Sequence, residues 1–169
     1  MLPDLVPYIN ADEIAKVLPM GASNRRDLEA SRLLLARWDD LADAGENFAI
    51  ETTLSSRSLA PRVQRLLQRG YEFHLMFFWL KNADLAVQRV AERVRQGGHN
   101  IPEETIRRRY VAGINNLFEL YMPLADTWRV FDNNVKGATR PVAWGGRNEN
   151  TIISDADTWA RIKAGRRNG

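Results

Sequence analysis

The stretch from Arg89 to Tyr110 reads RVAERVRQGGHNIPEETIRRRY and carries the strongest pattern in the chain. It holds six arginines and three glutamates, and the difference of +3 equals the formal net charge of the whole protein. Gly97-Gly98 is typical of a helix end, because glycine adopts positive φ without strain. Pro102, followed by Glu103 and Glu104, is typical of a helix start. We therefore predict two arginine-bearing helices joined by a glycine hinge.

Two interpretations of this helical pair are open from the pattern alone. The pair could close as a lid over a polyanion, because guanidinium groups match phosphate oxygens in pairs. It could equally be a helical hairpin with a solvated basic face, since charge runs usually lie at the surface. The helical phase places some of the arginines nearer the apolar faces of the two helices. Those expected to face inward are Arg93, Arg107 and Arg109, rather than Arg95 and Arg108.

The composition of the whole chain excludes several classes of protein. At 169 residues, with 44% hydrophobic and 27% charged residues, one globular domain is expected. The absence of cysteine excludes a disulfide framework, thiolate metal sites and cysteine nucleophiles. No apolar run approaches the roughly 20 residues of a membrane span, and the sequence has no signal-peptide pattern. We therefore expect a cytoplasmic protein that does not associate with a membrane.

Strand and helix patterns alternate along the chain, which predicts an α/β fold with a mostly parallel sheet flanked by helices. The clearest strand is Glu72–Leu80, whose nearly continuous apolar character favours a central position covered on both faces. His74 would then be a buried core histidine. Asn133–Pro141 is expected to be a polar loop, and residues 141–163 a C-terminal β-hairpin and helix.

Two carboxylates follow predicted strands, where ligands bind in parallel α/β folds. Asp12 comes directly after the first strand, and a carboxylate there can accept the proton of an attacking hydroxyl. Glu51 ends the apolar run Phe48-Ala-Ile and suits a carboxylate that holds Mg²⁺ through water. The alternatives are a helix-capping aspartate and a strand-end acid without a ligand. The two histidines are isolated in the sequence and make no metal cluster. Nucleic-acid binding is only weakly indicated, because few aromatics lie among the basic residues.

Several of these motifs together resemble the zeta-toxin-like P-loop kinases. The resemblance runs from about Pro7 to Asp132, through Tyr8-Ile-Asn-Ala-Asp12-Glu, Ile50-Glu51-Thr-Thr53, the Arg89–Tyr110 stretch and Leu124-Ala-Asp-Thr-Trp-Arg-Val-Phe-Asp132. One departure concerns ATP, which that family binds on Gly-x-x-x-x-Gly-Lys-[Ser/Thr]. The 169 residues contain no Gly-Lys pair. The resemblance therefore implies a single kinase domain over residues 1–169 that lacks its first strand and phosphate loop.

The resemblance also implies an activity: transfer of the ATP γ-phosphoryl group to a hydroxyl of a small acceptor, with Mg²⁺ as cofactor. In the toxin members the acceptor is an amino-sugar nucleotide, and an antitoxin protein is an expected partner. Without the phosphate loop, we expect residues 1–169 to bind ATP weakly and to be inactive on their own. The alternatives are a non-catalytic remnant or binding module of the same fold and, more distantly, a basic nucleic-acid-associated protein.

The resemblance assigns roles to particular residues. Asp12 is implied as the catalytic base, and Glu51 and Thr53 as substrate contacts. The lid spans residues 89–110. The resemblance does not decide which of three neighbouring arginines is the second phosphate contact of the lid. The implied phosphate-binding residues are Arg93 and one of Arg107, Arg108 and Arg109, and the implied hinge residues are Gly97, Gly98 and His99.

Overall fold

A computed structural model describes residues 6–18, 23–98 and 100–166. In these residues the chain forms six strands, six α-helices and one π-helical turn. In chain order they are β1 (Tyr8–Asn10), α1 (Ala11–Val17), α2 (Ser23–Asp43), β2 (Ala49–Glu51), α3 (Leu59–Gln68), β3 (His74–Trp79), α4 (Ala83–Arg95), α5 (Glu103–Asn116), the π-helical turn (Leu117–Tyr121), β4 (Thr127–Val135), β5 (Ala138–Gly146), β6 (Glu149–Ile153) and α6 (Ala156–Ala164). The chain divides into two compact units, residues 1–52 with 94–99 and residues 53–93 with 100–169.

The first unit contains a short parallel pair, β1 and β2, together with α1 and α2. Its register places Asn10 opposite Glu51, so both residues lie at the carboxyl edge of the pair. Gly45, at a φ of +74°, follows the end of α2 and turns the chain toward β2. Trp38 of α2 is buried and packs edge-on against Phe48, with ring centroids 5.1 Å apart. This contact fixes α2 beside the start of β2.

The second unit contains a four-stranded sheet in the order β3-β4-β5-β6. The β3–β4 pair is parallel, whereas β4–β5 and β5–β6 are antiparallel. The α/β class is confirmed, but the sheet is mixed rather than mostly parallel. The reason is that short turns join β4 to β5 and β5 to β6, and such turns can connect only antiparallel strands. The predicted C-terminal hairpin corresponds to β5 and β6.

The prediction of a loop at Asn133–Pro141 is wrong. β4 continues to Val135 and β5 begins at Ala138, with Gly137 in the turn at a φ of +78°. The segment is polar because this end of the hairpin is largely exposed. The β4–β5 pairing is irregular between Asp132 and Val135. This irregularity allows the segment to pair, although asparagine and proline disfavour regular strands.

The prediction that β3 is covered on both faces is also wrong. Leu75 and Trp79 are buried, but Met76 and Phe78 are 53% and 50% exposed. His74 is exposed rather than buried in the core, with its Nδ1 2.8 Å from the Thr127 hydroxyl. An apolar run shows that a strand can be buried, but it does not show how many of its faces are covered. Within the described residues β3 pairs with β4 and β2 with β1, and the absence of a first strand stays a prediction.

The core of the second unit packs between the inner face of this sheet and α5, α6 and the π-helical turn. Trp128 and Trp159 stack with their ring centroids 5.8 Å apart. The apolar face predicted for the second arginine-bearing helix is confirmed, since Ile106, Ile114 and Leu117 are all buried. None of the described helices has both the length and the apolar character needed to cross a membrane.

Candidate functional site

At the carboxyl edge of β1 and β2, two side chains hold the carboxylate of Glu51. The Tyr8 hydroxyl donates a hydrogen bond to Glu51 Oε2, and Asn10 Nδ2 donates to the same oxygen at 2.7 Å. Partial burial, followed by the hydrogen bond with Glu51, raises the pKa of the Tyr8 phenol. Tyr8 therefore stays protonated near neutral pH and acts as a donor. Both bonds end on one carboxylate oxygen of a residue that is itself exposed.

Asp12 lies in the first turn of α1, two residues beyond Asn10. Its side chain lies outside the described part of the chain, so the backbone alone places it. That placement puts Asp12 directly after the strand that supplies the two donors to Glu51. Both Asp12 and Glu51 belong to the first unit.

Thr53 belongs to the second unit and begins the loop that joins β2 to α3. We call residues 53–58 the Thr53 loop. Thr53 Oγ1 lies 2.9 Å from Ser55 Oγ, and Ser56 Oγ lies 2.7 Å from Ser58 Oγ. Both contacts are hydrogen bonds between hydroxyls. Thr53, Ser56 and Ser58 are exposed, so the loop presents a row of hydroxyl groups to solvent.

The backbone of the Thr53 loop is attached to α5 and the π-helical turn. Asn116 Nδ2 donates a 2.7 Å hydrogen bond to the carbonyl of Leu54. The Tyr121 hydroxyl donates to the carbonyl of Ser56. Gly113 faces Thr53 so closely that a Cβ at this position would lie 2.5 Å from the Thr53 carbonyl oxygen. Leu54 adopts a φ of +54°, the only positive φ of a non-glycine residue in the described chain.

Arginines of α4 lead into the predicted hinge. Arg93 is half-buried, whereas Arg95 at the end of the helix is exposed. Gly97 has a φ of +86°, which ends the helix in the way the sequence predicted. His99 lies outside the described residues. The proposed role of Gly97, Gly98 and His99 in a hinge motion stays a prediction.

The three consecutive arginines of α5 differ in their surroundings. Arg107 forms 2.7 Å ion pairs with Asp84 of α4 and with Glu103 one turn earlier. The hydrogen bond with Glu103, followed by that with Asp84, raises the pKa of Arg107. Its side chain is 45% exposed, although the helical phase placed it facing inward. Arg108 is exposed and Arg109 is half-buried.

The sequence singled out Glu51 and Thr53 but not the residues that contact Glu51 and the Thr53 loop. Asn10 lies within a quoted motif, yet only the β1–β2 register shows that it reaches Glu51. Asn116 and Tyr121 are 62 and 65 residues distant in sequence from the carbonyls they contact. One signal was available for Asn116, because an asparagine beside the apolar face of a helix needs a hydrogen-bond partner when it is buried.

No group of three or more potential metal ligands occurs among the described residues. Mg²⁺ prefers six oxygen ligands and keeps several of its waters in protein sites. Among the predicted site residues whose side chains the structure describes, Glu51 offers the carboxylate for such an ion. These residues therefore fit a Mg²⁺ ion only through a water molecule between the ion and Glu51.

A sequence model of the zeta toxin family matches residues 4–137. The chain belongs to the zeta toxin family. An uncharacterized protein of Haemophilus influenzae is 26% identical over 102 residues, which are 60% of this chain and 73% of that protein. A chain in the solved structure of the PezAT chromosomal toxin-antitoxin system of Streptococcus pneumoniae also matches. It is 14% identical, with a TM-score of 0.52 over 94% of this chain and 72% of that chain.

The structural match shows that this zeta toxin family member has the P-loop-kinase-like fold of the family. The matched residues 4–137 include every candidate site residue predicted from the sequence, from Asp12 to Arg109. They end in the turn between β4 and β5, so β5, β6 and α6 lie beyond the family match.

Proposed function

We propose that this zeta toxin family member transfers the γ-phosphoryl group of ATP to a hydroxyl of a small-molecule acceptor. The observation that carries the proposal is the arrangement of Glu51, whose carboxylate is held by Tyr8 and Asn10 two residues before Thr53. A carboxylate that is held in place before a ligand arrives suits recognition of a hydroxyl-bearing molecule. An amino-sugar nucleotide, the acceptor of the toxin members of the family, is the first candidate.

Asp12 is the proposed general base. In the transfer, the acceptor hydroxyl oxygen forms a bond to the γ-phosphorus, and the bond from that phosphorus to the β,γ-bridging oxygen breaks. The hydroxyl proton passes to a carboxylate, and ADP leaves. Asp12 suits this role because it follows β1 at the carboxyl edge where Glu51 lies.

Glu51 and Thr53 are the proposed acceptor contacts. Because Tyr8 and Asn10 both bond Oε2 of Glu51, the other oxygen, Oε1, is the proposed ligand atom. It would accept a hydrogen bond from the acceptor or from a Mg²⁺-bound water. Mg²⁺ neutralises developing charge on the phosphates in this class of reaction.

Arg93 and one arginine of α5 are the proposed phosphate contacts. Positioned guanidinium groups stabilise the charge of a transferring phosphoryl group. Arg93 and Arg109 are half-buried, whereas Arg95 and Arg108 are exposed, so the first two are favoured for this role. Arg107 would have to exchange its bonds with Asp84 and Glu103 for bonds to phosphate.

An antitoxin protein is the proposed macromolecular partner. The support is the structural match to a chain of the PezAT toxin-antitoxin system. A second candidate function is a binding module that recognises the acceptor without phosphorylating it. The observation that favours it is that the 169 residues contain no Gly-Lys pair.

The test uses the protein encoded by the complete in-frame reading frame, including any coding sequence upstream of Met1. It is incubated with γ-labelled ATP, Mg²⁺ and a UDP-N-acetylhexosamine as the amino-sugar nucleotide probe. We expect label on the sugar nucleotide, and an Asp12→Asn variant should lower the rate by roughly 10²–10⁴-fold. The exposed Asp40→Asn on α2 is the matched control.

The outcomes separate the two candidates. Binding of the sugar nucleotide without labelled product, in a protein that contains a phosphate loop, would favour the binding module. Neither binding nor labelling with any of a set of nucleotide sugars would reject both candidates. Equal rates for Asp12→Asn and Asp40→Asn would remove Asp12 from the base role.

A further inference from the structure

The main chain of the Thr53 loop is attached to α5 and the π-helical turn, and an exposed 3.5 Å ion pair between Arg57 and Glu119 joins the same two segments. Asn116 and Tyr121 donate to the carbonyls of Leu54 and Ser56, and Gly113 lies against the carbonyl of Thr53. The hydroxyls of the loop take no part in these three contacts. The backbone is therefore fixed from the inside, while the hydroxyls of Thr53, Ser56 and Ser58 stay exposed.

The conformation fixed in this way is one that the chain does not adopt readily. Leu54 has a φ of +54°, in the left-handed region that disfavours residues with a Cβ. Such a residue persists only where its surroundings determine it, and such sites cluster where ligands bind. Leu54 is itself buried, so its side chain and its carbonyl are both held within the second unit.

The helix that holds the loop is also irregular at this point. Asn116 is only 4% exposed, and its side-chain amide is used for the Leu54 carbonyl. Immediately after it the helix widens into the π-helical turn, where Met122 N donates to the Leu117 carbonyl at 2.8 Å. The widened turn carries Tyr121, whose hydroxyl reaches Ser56. Widened turns of this kind occur frequently at functional sites.

We infer that Asn116 and Tyr121 are positioning residues, which hold the Thr53 loop so that its hydroxyls bind the hydroxyl-bearing acceptor. The inference rests on the proposed function, because it takes Thr53 as an acceptor contact. It adds residues that touch neither the acceptor nor ATP and act through the loop backbone. A purely structural role predicts a different result, namely loss of stability without selective loss of acceptor affinity.

Two tyrosines of the same helical segment give a matched test. Tyr121→Phe removes the bond to Ser56, and Tyr110→Phe removes a 2.8 Å bond from its hydroxyl to the Leu80 carbonyl. Each variant loses one hydroxyl that donates to a main-chain carbonyl, so the two should lower Tm similarly. Only the Tyr121 bond reaches the Thr53 loop.

The measurements are calorimetric titration of the full protein with a UDP-N-acetylhexosamine and amide hydrogen exchange of residues 53–58. For Tyr121→Phe and Asn116→Leu we expect faster exchange in the loop. We also expect the acceptor Kd to rise roughly tenfold, the equivalent of one lost hydrogen bond. Tyr110→Phe should leave both quantities within about twofold of wild type, since its bond does not involve the loop.

Gly113→Ala is the third variant, because it removes no hydrogen bond and displaces the Thr53 carbonyl by steric contact alone. It should raise the acceptor Kd in the same direction, and it keeps the test decisive if Asn116→Leu does not fold. Faster loop exchange with an unchanged acceptor Kd would overturn the inference, as would unchanged loop exchange. A wild-type protein that binds no sugar nucleotide would overturn the proposed function and this inference together. Wild-type binding that the variants match would overturn this inference alone.

Discussion

Asn10 donates its side-chain amide to Glu51 Oε2 across the parallel β1–β2 pair, at a distance of 2.7 Å. The two residues are register partners in the last position of their strands. A side chain at a strand end is normally free to change rotamer, and here Asn10 and Tyr8 together restrict the carboxylate. A carboxylate fixed before the ligand arrives loses less conformational entropy on binding.

Removing these two donors should weaken acceptor binding while leaving the fold intact. For Tyr8→Phe and Asn10→Ala we expect the acceptor Kd to rise by roughly two- to tenfold each, because one hydrogen bond is lost in each case. In the double variant the two effects on the acceptor Kd should not be additive, since both hydrogen bonds end on the same oxygen. The measurement is calorimetric titration with the sugar-nucleotide probe. An unchanged Kd in the double variant would show that Glu51 does not contact the acceptor.

Asp155 should make the stability of the second unit depend on pH in the acid range. Its carboxylate accepts a hydrogen bond from Thr158 N at the start of α6. That bond, followed by the hydrogen bond with the Thr158 side chain, lowers the pKa of Asp155 below its ordinary value of 3.8. A lowered folded-state pKa means that the stabilisation is complete above the unfolded pKa and is lost as pH falls through the folded pKa.

The comparison is between wild type and Asp155→Asn, since asparagine is an equally good N-cap and does not titrate. Thermal unfolding between pH 2.5 and 7 should give similar Tm values for the two proteins at low pH. Above about pH 4, where the Asp155 carboxylate is ionised, wild type should be the more stable. A constant difference in Tm across this range would show that Asp155 does not titrate with a lowered pKa.

The elements that the sequence predicted well are those with a local signal. Helix α5 follows from apolar periodicity, and the positive φ of Gly97 follows from the chemistry of glycine. The errors lie where pairing decides the structure. A polar segment became a hairpin at Gly137 because β4 and β5 pair across it, and β3 has exposed residues because a neighbouring layer does not cover them.

The same distinction applies to the candidate site. Glu51 was singled out because an acid follows an apolar strand, which is a local pattern, and Thr53 because of the family resemblance; the roles of both residues stay predictions. Asn116 and Tyr121 lie on a helix more than 60 residues away, and their contacts depend on how that helix packs. The positive φ of Leu54 has no sequence signal, because leucine does not favour that region.

Arg93 and Arg95 offer a matched pair on α4, since they are two residues apart and differ in burial. If Arg93 contacts phosphate, Arg93→Ala should lower kcat/KM by roughly 10²–10⁴-fold, as for other charge-stabilising groups. Arg95→Ala should have a much smaller effect, because its side chain is exposed at the end of the helix. The assay is phosphoryl transfer by the form of the protein that yields labelled product. Equal losses would show that the helical phase does not decide which arginine meets phosphate.

The three arginines of α5 can be separated by the bonds that they already make. Arg107 is shared between Asp84 and Glu103, Arg108 is exposed, and Arg109 is half-buried. We therefore expect Arg109→Ala to lower kcat/KM by roughly 10²–10⁴-fold, and Arg108→Ala to change it little.

The Asp84→Asn variant tests whether Arg107 contacts phosphate. It removes one carboxylate from Arg107 without touching the arginine itself. If phosphate competes with Asp84 for this guanidinium, the KM for ATP should fall in Asp84→Asn, because less is lost when Arg107 changes partner. If Arg109 is the phosphate contact, as its burial favours, the KM should be unchanged and Arg107→Ala should be close to wild type. A lower KM in Asp84→Asn, together with a large loss in Arg107→Ala, would assign the contact to Arg107 instead.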